Sequence, residues 1–185
     1  MANPVQRRAT YADLLDVPEN RVGEIVDGEL ITQPRPAAPH ARAASRLGME
    51  LRPLDRLKAG PGGWILLDEP ELHLRGDALV PDLAGWRRER MPELPDVAAF
   101  ELAPDWACEV LSPSTQSHDR VKKMGVYARE GVGHVWLVDP LAQTLEVYRA
   151  AGGAWLRTQI AHGADKVHAE PFSELELDLA ALWER

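Results

Sequence analysis

The sequence predicts an α/β protein in which a mixed β-sheet is flanked by helices. Strand and helix patterns alternate along the chain, and residues 105–139 follow the order strand, helix, strand. That order implies two parallel strands joined by a right-handed crossover. Strand patterns both precede and follow this unit, so antiparallel strands should extend the same sheet. A chain of 185 residues, 45% of them hydrophobic, is long enough for a substantial core, and we expect one domain over residues 1–185.

The first part of the chain predicts a helix, a hairpin and a second helix. The first helix should begin at Thr10, whose hydroxyl suits a helix cap. The apolar side chains expected to face inward from it are Tyr11, Leu14 and Leu15. Asp27-Gly28 stands between two apolar runs and suits a type I′ turn, so residues 24–31 are predicted to form a β-hairpin. The second helix is predicted over about residues 40–58, with Pro53 bending or ending it.

Beyond residue 63 the pattern changes to short strands. Those predicted first lie at residues 64–67, 71–74 and 79–86. Two mostly apolar runs, residues 105–111 and 134–139, predict buried central strands, and a helix over about 119–130 fits between them. The remaining elements are a hairpin or meander at 145–148 and 155–160 and a short closing helix in residues 171–185. The six tryptophans are spread over the strands and the tail, which indicates core or interface positions.

Charge and cysteine content exclude several classes of protein. The 21 basic and 29 acidic side chains give a net charge of −8, which argues against a protein that coats nucleic acid by bulk charge. This charge is compatible with a local basic patch around a metal site. The single cysteine, Cys108, excludes an internal disulfide framework and a cysteine-based zinc site. Apolar runs stay well below the roughly 20 residues of a membrane span, and the first residues lack the apolar stretch of a signal peptide. We therefore expect a cytoplasmic protein without a membrane partner.

Two carboxylates stand inside apolar strand patterns. Asp82 lies in Leu79-Val80-Pro81-Asp82-Leu83-Ala84, and Glu109 lies in Trp106-Ala107-Cys108-Glu109-Val110-Leu111. A buried carboxylate costs several kcal/mol unless it is paired or ligates a metal. On adjacent strands the two would form an oxygen-rich site that suits Mg²⁺ or Mn²⁺, and the backbone carbonyl of Val110 could add an uncharged ligand. The alternative is that each acid lies at a strand end in water or pairs with an arginine.

These acids belong to a longer series of linked motifs. The motifs are Glu24 to Leu30, His40, Pro81-Asp82, Glu109 to Thr115, Asp119 with Lys123 and Tyr127, Gly131-Val132 and Trp136 to Pro140. Over about residues 10–145 they resemble the Uma-two family of endonucleases, within the PD-(D/E)XK nuclease superfamily. The resemblance implies a restriction-endonuclease-like core and Mg²⁺-dependent hydrolysis of phosphodiester bonds, with DNA as the substrate.

The superfamily pattern places a lysine two residues after the acid, on the same face of the strand. Here Leu111 occupies that place. The family supplies the amine from the next helix, and Lys123 matches by its position four residues before Tyr127. At about 100° per residue, Lys123 borders the apolar side of this helix, whereas its neighbour Lys122 points towards water. The residues on which that apolar side is centred are Val121, Met124, Tyr127 and Ala128. A surface ion pair between Lys123 and Asp119 is the competing interpretation.

The mechanism that these residues predict is metal-assisted hydrolysis. Asp82 and Glu109 would hold Mg²⁺ or Mn²⁺, which polarises a phosphoryl oxygen and lowers the pKa of a bound water. Lys123 would orient the attacking water or neutralise charge that develops on phosphorus. Glu24 could be a further ligand or an acceptor for metal-bound water, although an exposed hairpin carboxylate explains it equally well. His40 could contact phosphate or simply lie near a helix cap.

Two other classes of function stay open at this point. The missing strand lysine and the net charge of −8 are also compatible with a catalytically inactive nuclease fold that acts as a binding or scaffold protein. A metal-dependent hydrolase of a small phosphate ester would need no long basic surface. For a DNA-cutting enzyme with one active site per chain, a homodimer is the simplest way to cut both strands.

Overall fold

Strands and helices alternate through residues 7–55 and 62–184, the part of the chain that the computed structural model describes. The strands are β1 (Arg21–Val26), β2 (Glu29–Pro34), β3 (Trp64–Asp68), β4 (Leu72–Leu74), β5 (Asp77–Leu79), β6 (Leu83–Arg87), β7 (Trp106–Val110), β8 (His134–Asp139), β9 (Thr144–Ala151), β10 (Ala154–His162), β11 (Lys166–Val167) and β12 (Leu177–Asp178). The helices are α1 (Tyr11–Leu15), α2 (Ala38–Leu51), α3 (Gln116–His118), α4 (Met124–Arg129) and α5 (Ala180–Trp183). The predicted α/β class is confirmed.

The larger sheet is mixed, as the sequence predicts. Its strand order is β10-β9-β8-β7-β6-β3, in which β7 and β8 are parallel and the other neighbours are antiparallel. The parallel pair and the helix between its strands confirm the strand–helix–strand unit at residues 105–139. A smaller antiparallel sheet has the order β2-β1-β5-β4, and β11 pairs with β12. Within residues 7–55 and 62–184, helices fall short of the length and apolar content that crossing a membrane requires.

The predicted hairpin is the β1–β2 pair. Asp27 and Gly28 both have positive φ, at 53° and 81°, as both central residues of a type I′ turn require. The register pairs Val26 with Glu29 and places Glu24 opposite Ile31. Glu24 points inward in this register and is 3% exposed. The exposed hairpin carboxylate that the sequence allowed at this position is therefore wrong.

Successive residues of β7 face opposite sides of the larger sheet, as the pleat of a strand requires. Trp106 and Cys108 point to one side, where they pack with α2 and the C-terminal segment. Ala107 points to the other side, which packs against α4 and the smaller sheet. Glu109 shares the side of Ala107, so it enters an otherwise apolar layer. The fold thus places one carboxylate in the core beneath α4.

The strand predicted over residues 79–86 is in fact two strands in different sheets. Leu79 ends β5 in the smaller sheet, and Leu83 begins β6 in the larger one. Pro81 lies between them and has no N–H to donate to a sheet, which explains why the apolar run does not continue as one strand. Asp82 consequently lies in the connection between the sheets and not inside a strand.

The helical predictions at the two ends of the chain need smaller corrections. Tyr11 and Leu15 are 46% and 72% exposed, because α1 is only five residues long and covers little of the core. The second helix changes to a 3₁₀ turn at Arg52–Asp55, around Pro53, and residues 56–58 of its prediction lie outside the described residues. The closing helix is limited to α5, preceded by β12. Leu177, Leu179 and Leu182 are buried as expected, and Arg185 lies outside the described residues.

Candidate active site

One cavity of about 420 Å³ opens between the β1–β2 hairpin, the start of α2, the end of β7 and the helical segment that follows it. The acidic residues that line it are Glu24, Glu69, Asp82, Glu109 and Asp119. The basic residues and the histidine that line it are Arg35, Lys123 and His40. Val110 also lines it. Every site residue that the sequence singles out therefore lies at this cavity.

Asp82 is held at the cavity from two sides. Its Oδ2 accepts a hydrogen bond of 2.7 Å from the backbone amide of Val110, which ties it to the end of β7. Its Oδ1 lies 3.3 Å from Nε2 of His40, in the first turn of α2. Burial lowers the pKa of His40, but its contacts with Asp82, the charge of Asp119 and the Val110 backbone outweigh this, and the pKa is raised. Both oxygens of Asp82 thus have a fixed neighbour.

Glu109 is 2% exposed, and both of its oxygens accept hydrogen bonds. Nζ of Lys123 donates to Oε2 at 2.8 Å, and the hydroxyl of Tyr127 donates to Oε1. Burial raises the pKa of Glu109 well above its ordinary value, and the negative charges of Asp119, Asp82 and Glu24 add to this rise. Lys123 opposes it. A further positive charge at the cavity would favour the ionised form of Glu109.

Three oxygen atoms surround the ammonium group of Lys123. They are Oε2 of Glu109 at 2.8 Å, Oε1 of Glu24 at 3.0 Å and the carbonyl oxygen of Val80 at 3.2 Å. Burial lowers the pKa of Lys123, but the charges of Glu109 and Glu24 outweigh burial and raise the pKa well above its ordinary value. Lys122, by contrast, is paired with Glu29 nearer the surface, and its side chain is 37% exposed. The structure therefore brings Lys123, and not Lys122, to the cavity.

A π turn explains how Lys123 reaches this position. Residues Asp119–Lys123 form the turn between α3 and α4, and the amide of Met124 donates to the carbonyl of Asp119, five residues earlier. Asp119 and Lys123 are each 3% exposed, whereas Val121 is 71% exposed. The prediction that Val121 lies on the apolar side of a regular α-helix is wrong, because the π turn carries an extra residue and rotates the side chains.

Glu24 contacts Lys123 and the backbone beside Asp82. Its Oε1 accepts a hydrogen bond of 2.8 Å from the amide of Val80, in addition to the contact with Lys123. Its Oε2 lies 3.5 Å from Nε2 of His118. Burial raises the pKa of Glu24, but the charge of Lys123, the contact with His118 and the hydrogen bond from Val80 lower it to about 2. Glu24 is therefore a buried, ionised partner of Lys123.

Several residues at the cavity are not identified as functional by the sequence reasoning. Tyr127 is predicted to lie on the apolar side of the helix, yet its hydroxyl donates a hydrogen bond to Glu109. Asp119 is treated as a surface partner of Lys123, yet it lines the cavity and is buried. The four-residue spacing of Asp119, Lys123 and Tyr127 was a usable signal for one shared helix face. Val80 contributes only backbone groups, for which a sequence holds no signal.

The donors at the cavity suit a hard divalent cation. Asp82, Glu109 and the Val110 carbonyl offer oxygen ligands, the type that Mg²⁺ and Mn²⁺ prefer. Among the described residues, no group of three or more His, Cys, Asp or Glu side chains is arranged to hold a metal. A cation here would therefore keep water molecules beside two carboxylates and a carbonyl, as Mg²⁺ commonly does in proteins. The other ring nitrogen of His40, Nδ1, is buried without a hydrogen-bond partner among the described residues.

Comparison with known families gives this arrangement a context. The family model described as "Uma2: Putative restriction endonuclease" matches residues 9–180. The chain belongs to this family. The match extends the resemblance beyond residues 10–145 to most of the chain and includes every residue of the candidate site.

A solved structure supports the same fold. It is described as the crystal structure of "a putative nuclease belonging to DUF820 from Anabaena variabilis ATCC 29413". Its sequence is 24% identical, the alignment covers 95% of this chain and 97% of that one, and the TM-score is 0.74. A search of curated proteins finds no match. The family and this likeness confirm the predicted restriction-endonuclease-like α/β core.

Proposed function

We propose that the protein is a metal-dependent endonuclease that hydrolyses phosphodiester bonds of DNA. The observation that carries the proposal is the meeting of Asp82, Glu109 and a buried Lys123 at one cavity. Two carboxylates beside a fixed ammonium are the groups that metal-assisted phosphodiester hydrolysis needs. Membership of a restriction endonuclease family supports a nuclease over other hydrolases.

Asp82, Glu109 and the backbone carbonyl of Val110 would hold the cation. A bound Mg²⁺ or Mn²⁺ ion supplies Lewis-acid chemistry, since it polarises a phosphoryl oxygen and lowers the pKa of a coordinated water. The chain itself orients the two carboxylates. The Val110 amide fixes one oxygen of Asp82, and Tyr127 and Lys123 fix the two oxygens of Glu109. Carboxylates held in this way need little reorganisation when they bind a cation.

Lys123 acts as a positive charge and not as a general base. Its raised pKa keeps the amine protonated, so it has no lone pair with which to take a proton from water. Its charge offsets those of Glu24 and Glu109 and stabilises the negative charge that develops on phosphorus. Direct contact with a phosphate oxygen requires Lys123 to give up an acceptor, and the longest of its three contacts is the one of 3.2 Å to Val80.

A second candidate function is hydrolysis of a small phosphate ester, and the charge of the cavity favours it. Five carboxylates line the cavity against Arg35, Lys123 and His40. Long nucleic acids bind mainly through lysine and arginine contacts with phosphates. A small ester needs only the innermost groups of the site.

Cleavage assays with matched variants test the proposal. Purified protein with Mg²⁺ or Mn²⁺ should cut plasmid or single-stranded DNA, and calorimetry should detect Mn²⁺ uptake. Asp82→Asn should weaken Mn²⁺ binding and cleavage by about tenfold or more. Asp96→Asn, at an exposed position, should change neither. Mn²⁺ uptake without DNA cleavage, combined with turnover of a small phosphate ester, would favour the second candidate. Absence of Mn²⁺ uptake would overturn both functions and leave the binding or scaffold alternative.

Cleavage of both strands by a protein with one such cavity per chain is simplest for a two-fold pair of chains. We therefore propose that the protein acts on duplex DNA as a homodimer. Analytical ultracentrifugation with and without duplex DNA measures this directly. A protein that cuts duplex DNA while it sediments as a monomer would contradict the proposed dimer without affecting the proposed chemistry.

A further inference from the structure

The break between β5 and β6 leaves backbone groups of Val80 outside both sheets, since neither strand includes this residue. A buried amide or carbonyl without a partner is costly. Here the Val80 amide donates to Oε1 of Glu24 at 2.8 Å, and the Val80 carbonyl accepts from Nζ of Lys123 at 3.2 Å. Glu24 and Lys123 are themselves 3.0 Å apart. The three residues thus form a closed ring of two hydrogen bonds and one ion pair.

This ring joins the two parts of the candidate site. Val80 lies two residues before Asp82, and Lys123 contacts Glu109. Glu24 is the member of the ring that contacts both other members through one oxygen atom. A displacement of its carboxylate would therefore move the ammonium and the connection that carries Asp82 at the same time.

We propose that Glu24 is a positioning residue, which fixes Lys123 relative to the Val80–Asp82 connection and does not bind the cation. The inference rests on the proposed function. Oε1 of Glu24 already faces two donors of the chain, since it accepts a hydrogen bond from the Val80 amide and forms an ion pair with Lys123. Oε2 faces His118. Oε1 of Glu24 is therefore committed to donors of the chain itself.

Glu24→Gln is the variant that tests this role. Glutamine keeps an oxygen to accept the hydrogen bond from the Val80 amide and has nearly the same shape, but it removes the charge beside Lys123. The chain offers a matched control in Glu29→Gln, since Glu29 is paired with Lys122 on the exposed side of the same hairpin and helix. The same substitution is thus made once inside the ring and once outside it.

Two measurements do not depend on activity. The NMR signal of the Lys123 ammonium group should shift or disappear in Glu24→Gln and remain unchanged in Glu29→Gln, because only the first change removes a negative charge that lies 3.0 Å from this group. The Mn²⁺ affinity of Glu24→Gln, measured by calorimetry, should stay within about threefold of the parent protein. Loss of a ligand or of its direct support lowers metal affinity by about 10- to 100-fold. An unchanged Lys123 signal or such a loss of affinity would overturn the positioning role.

Single-turnover cleavage gives the third measurement. Glu24→Gln should lower the rate of the chemical step by about tenfold or more and leave the concentration of DNA at half-saturation nearly unchanged. An unchanged chemical rate would contradict the inference. If the parent protein cuts no DNA, the proposed nuclease function fails, while the NMR and calorimetry results still decide how Glu24 acts.

The double variant Glu24→Gln/Lys123→Met covers the case in which Glu24→Gln alone does not fold. Because this variant removes both charges of the pair, neither the carboxylate of Glu24 nor the ammonium of Lys123 is left buried without the other. Its Mn²⁺ affinity should equal that of Lys123→Met within about threefold. A further loss of about tenfold relative to Lys123→Met would identify Glu24 as a ligand and overturn the inference.

Discussion

Lys123 donates a hydrogen bond of 2.8 Å to Glu109, although the two residues lie 14 positions apart and on different elements. Glu109 belongs to β7 and Lys123 to the π turn between α3 and α4. In the common superfamily pattern the lysine follows the acid by two residues on one strand. That position is held here by Leu111, which is 1% exposed and packs in the core under α4. The π turn, and not the strand, therefore supplies the ammonium that contacts the acid.

Replacement of the two neighbouring lysines should separate their roles. Lys123→Met leaves Glu24 and Glu109 buried without their counter-ion and should destabilise the protein by about 3–5 kcal/mol. Lys122→Met removes an exposed pair with Glu29 and should cost less than about 1 kcal/mol. Urea unfolding measures both values, and cleavage should be lost only in Lys123→Met. Equal rates in the two variants would refute the choice of Lys123.

Tyr127→Phe should affect the site through Glu109. The change removes the hydroxyl that donates to Oε1 of this buried carboxylate. An unsatisfied buried acceptor costs about 1–3 kcal/mol, and the pKa of Glu109 should rise further because its ionised form loses a donor. Cleavage and Mn²⁺ affinity should each fall by about tenfold, as is typical when a group that orients a ligand is removed.

Tyr148→Phe is the matched control for that variant. The Tyr148 hydroxyl donates to Oε2 of Glu146 at 2.6 Å, a similar pair on β9 outside the cavity. Tyr148→Phe should lower the free energy of unfolding by about as much as Tyr127→Phe does and leave Mn²⁺ affinity unchanged. If both variants lose Mn²⁺ affinity equally, the effect is general destabilisation and not the orientation of Glu109.

The parts of the fold that sequence patterns predict well are those fixed by local or strictly periodic signals. Asp27-Gly28 determines the hairpin because few dipeptides accept two positive φ values. The apolar runs of β7 and β8 identify buried strands, and the helix between them dictates a parallel pair. Asp82 and Glu109 stand out because each interrupts an apolar run. Their placement at one cavity agrees with the sequence analysis, whereas their catalytic roles stay predictions.

The parts that the sequence does not predict depend on contacts between distant residues. The break at Val80 is stabilised by Glu24 and Lys123, which lie 56 and 43 positions away along the chain. The π turn brings Asp119 inward and leaves Val121 exposed, which no uniform helical period describes. Glu24 appears in the pattern as an acid near a tight turn, and only the packed structure shows that it is buried beside an ammonium.

Phe172→Ala should destabilise the protein without a change at the cavity. The ring of Phe172 packs edge-on against Trp64, Trp106 and Trp136, at centroid distances of 4.9, 5.0 and 5.4 Å. Removal of a buried phenylalanine costs about 3–5 kcal/mol. This cluster lies on the side of the larger sheet opposite Glu109. Urea unfolding should show the loss, while Mn²⁺ affinity under native conditions stays constant. A large change in that affinity would mean that the two layers are coupled.

Acidification should remove the stabilising effect of Glu24. Its pKa is about 2 in the folded protein against an ordinary value of 4.5, because the charge of Lys123, the contact with His118 and the Val80 amide outweigh the effect of burial. A carboxyl group whose pKa is lower in the folded protein stabilises the fold at pH values above its pKa in the unfolded chain. This stabilisation is lost as pH falls from about 4.5 through about 2. The difference in unfolding free energy between the parent protein and Glu24→Gln should therefore include about 3 kcal/mol at pH 7 that shrinks below about pH 5.

Urea unfolding at a series of pH values, in buffer with a chelator, measures this difference. The exposed pair offers the control, since Glu29→Gln should alter stability by less than about 1 kcal/mol at neutral pH. Because the contribution depends on the negative charge of Glu24 beside a permanent positive charge, its direction with pH is fixed. A difference that stays constant from pH 7 to pH 3, or grows on acidification, would mean that Glu24 is not ionised against Lys123 in the folded protein.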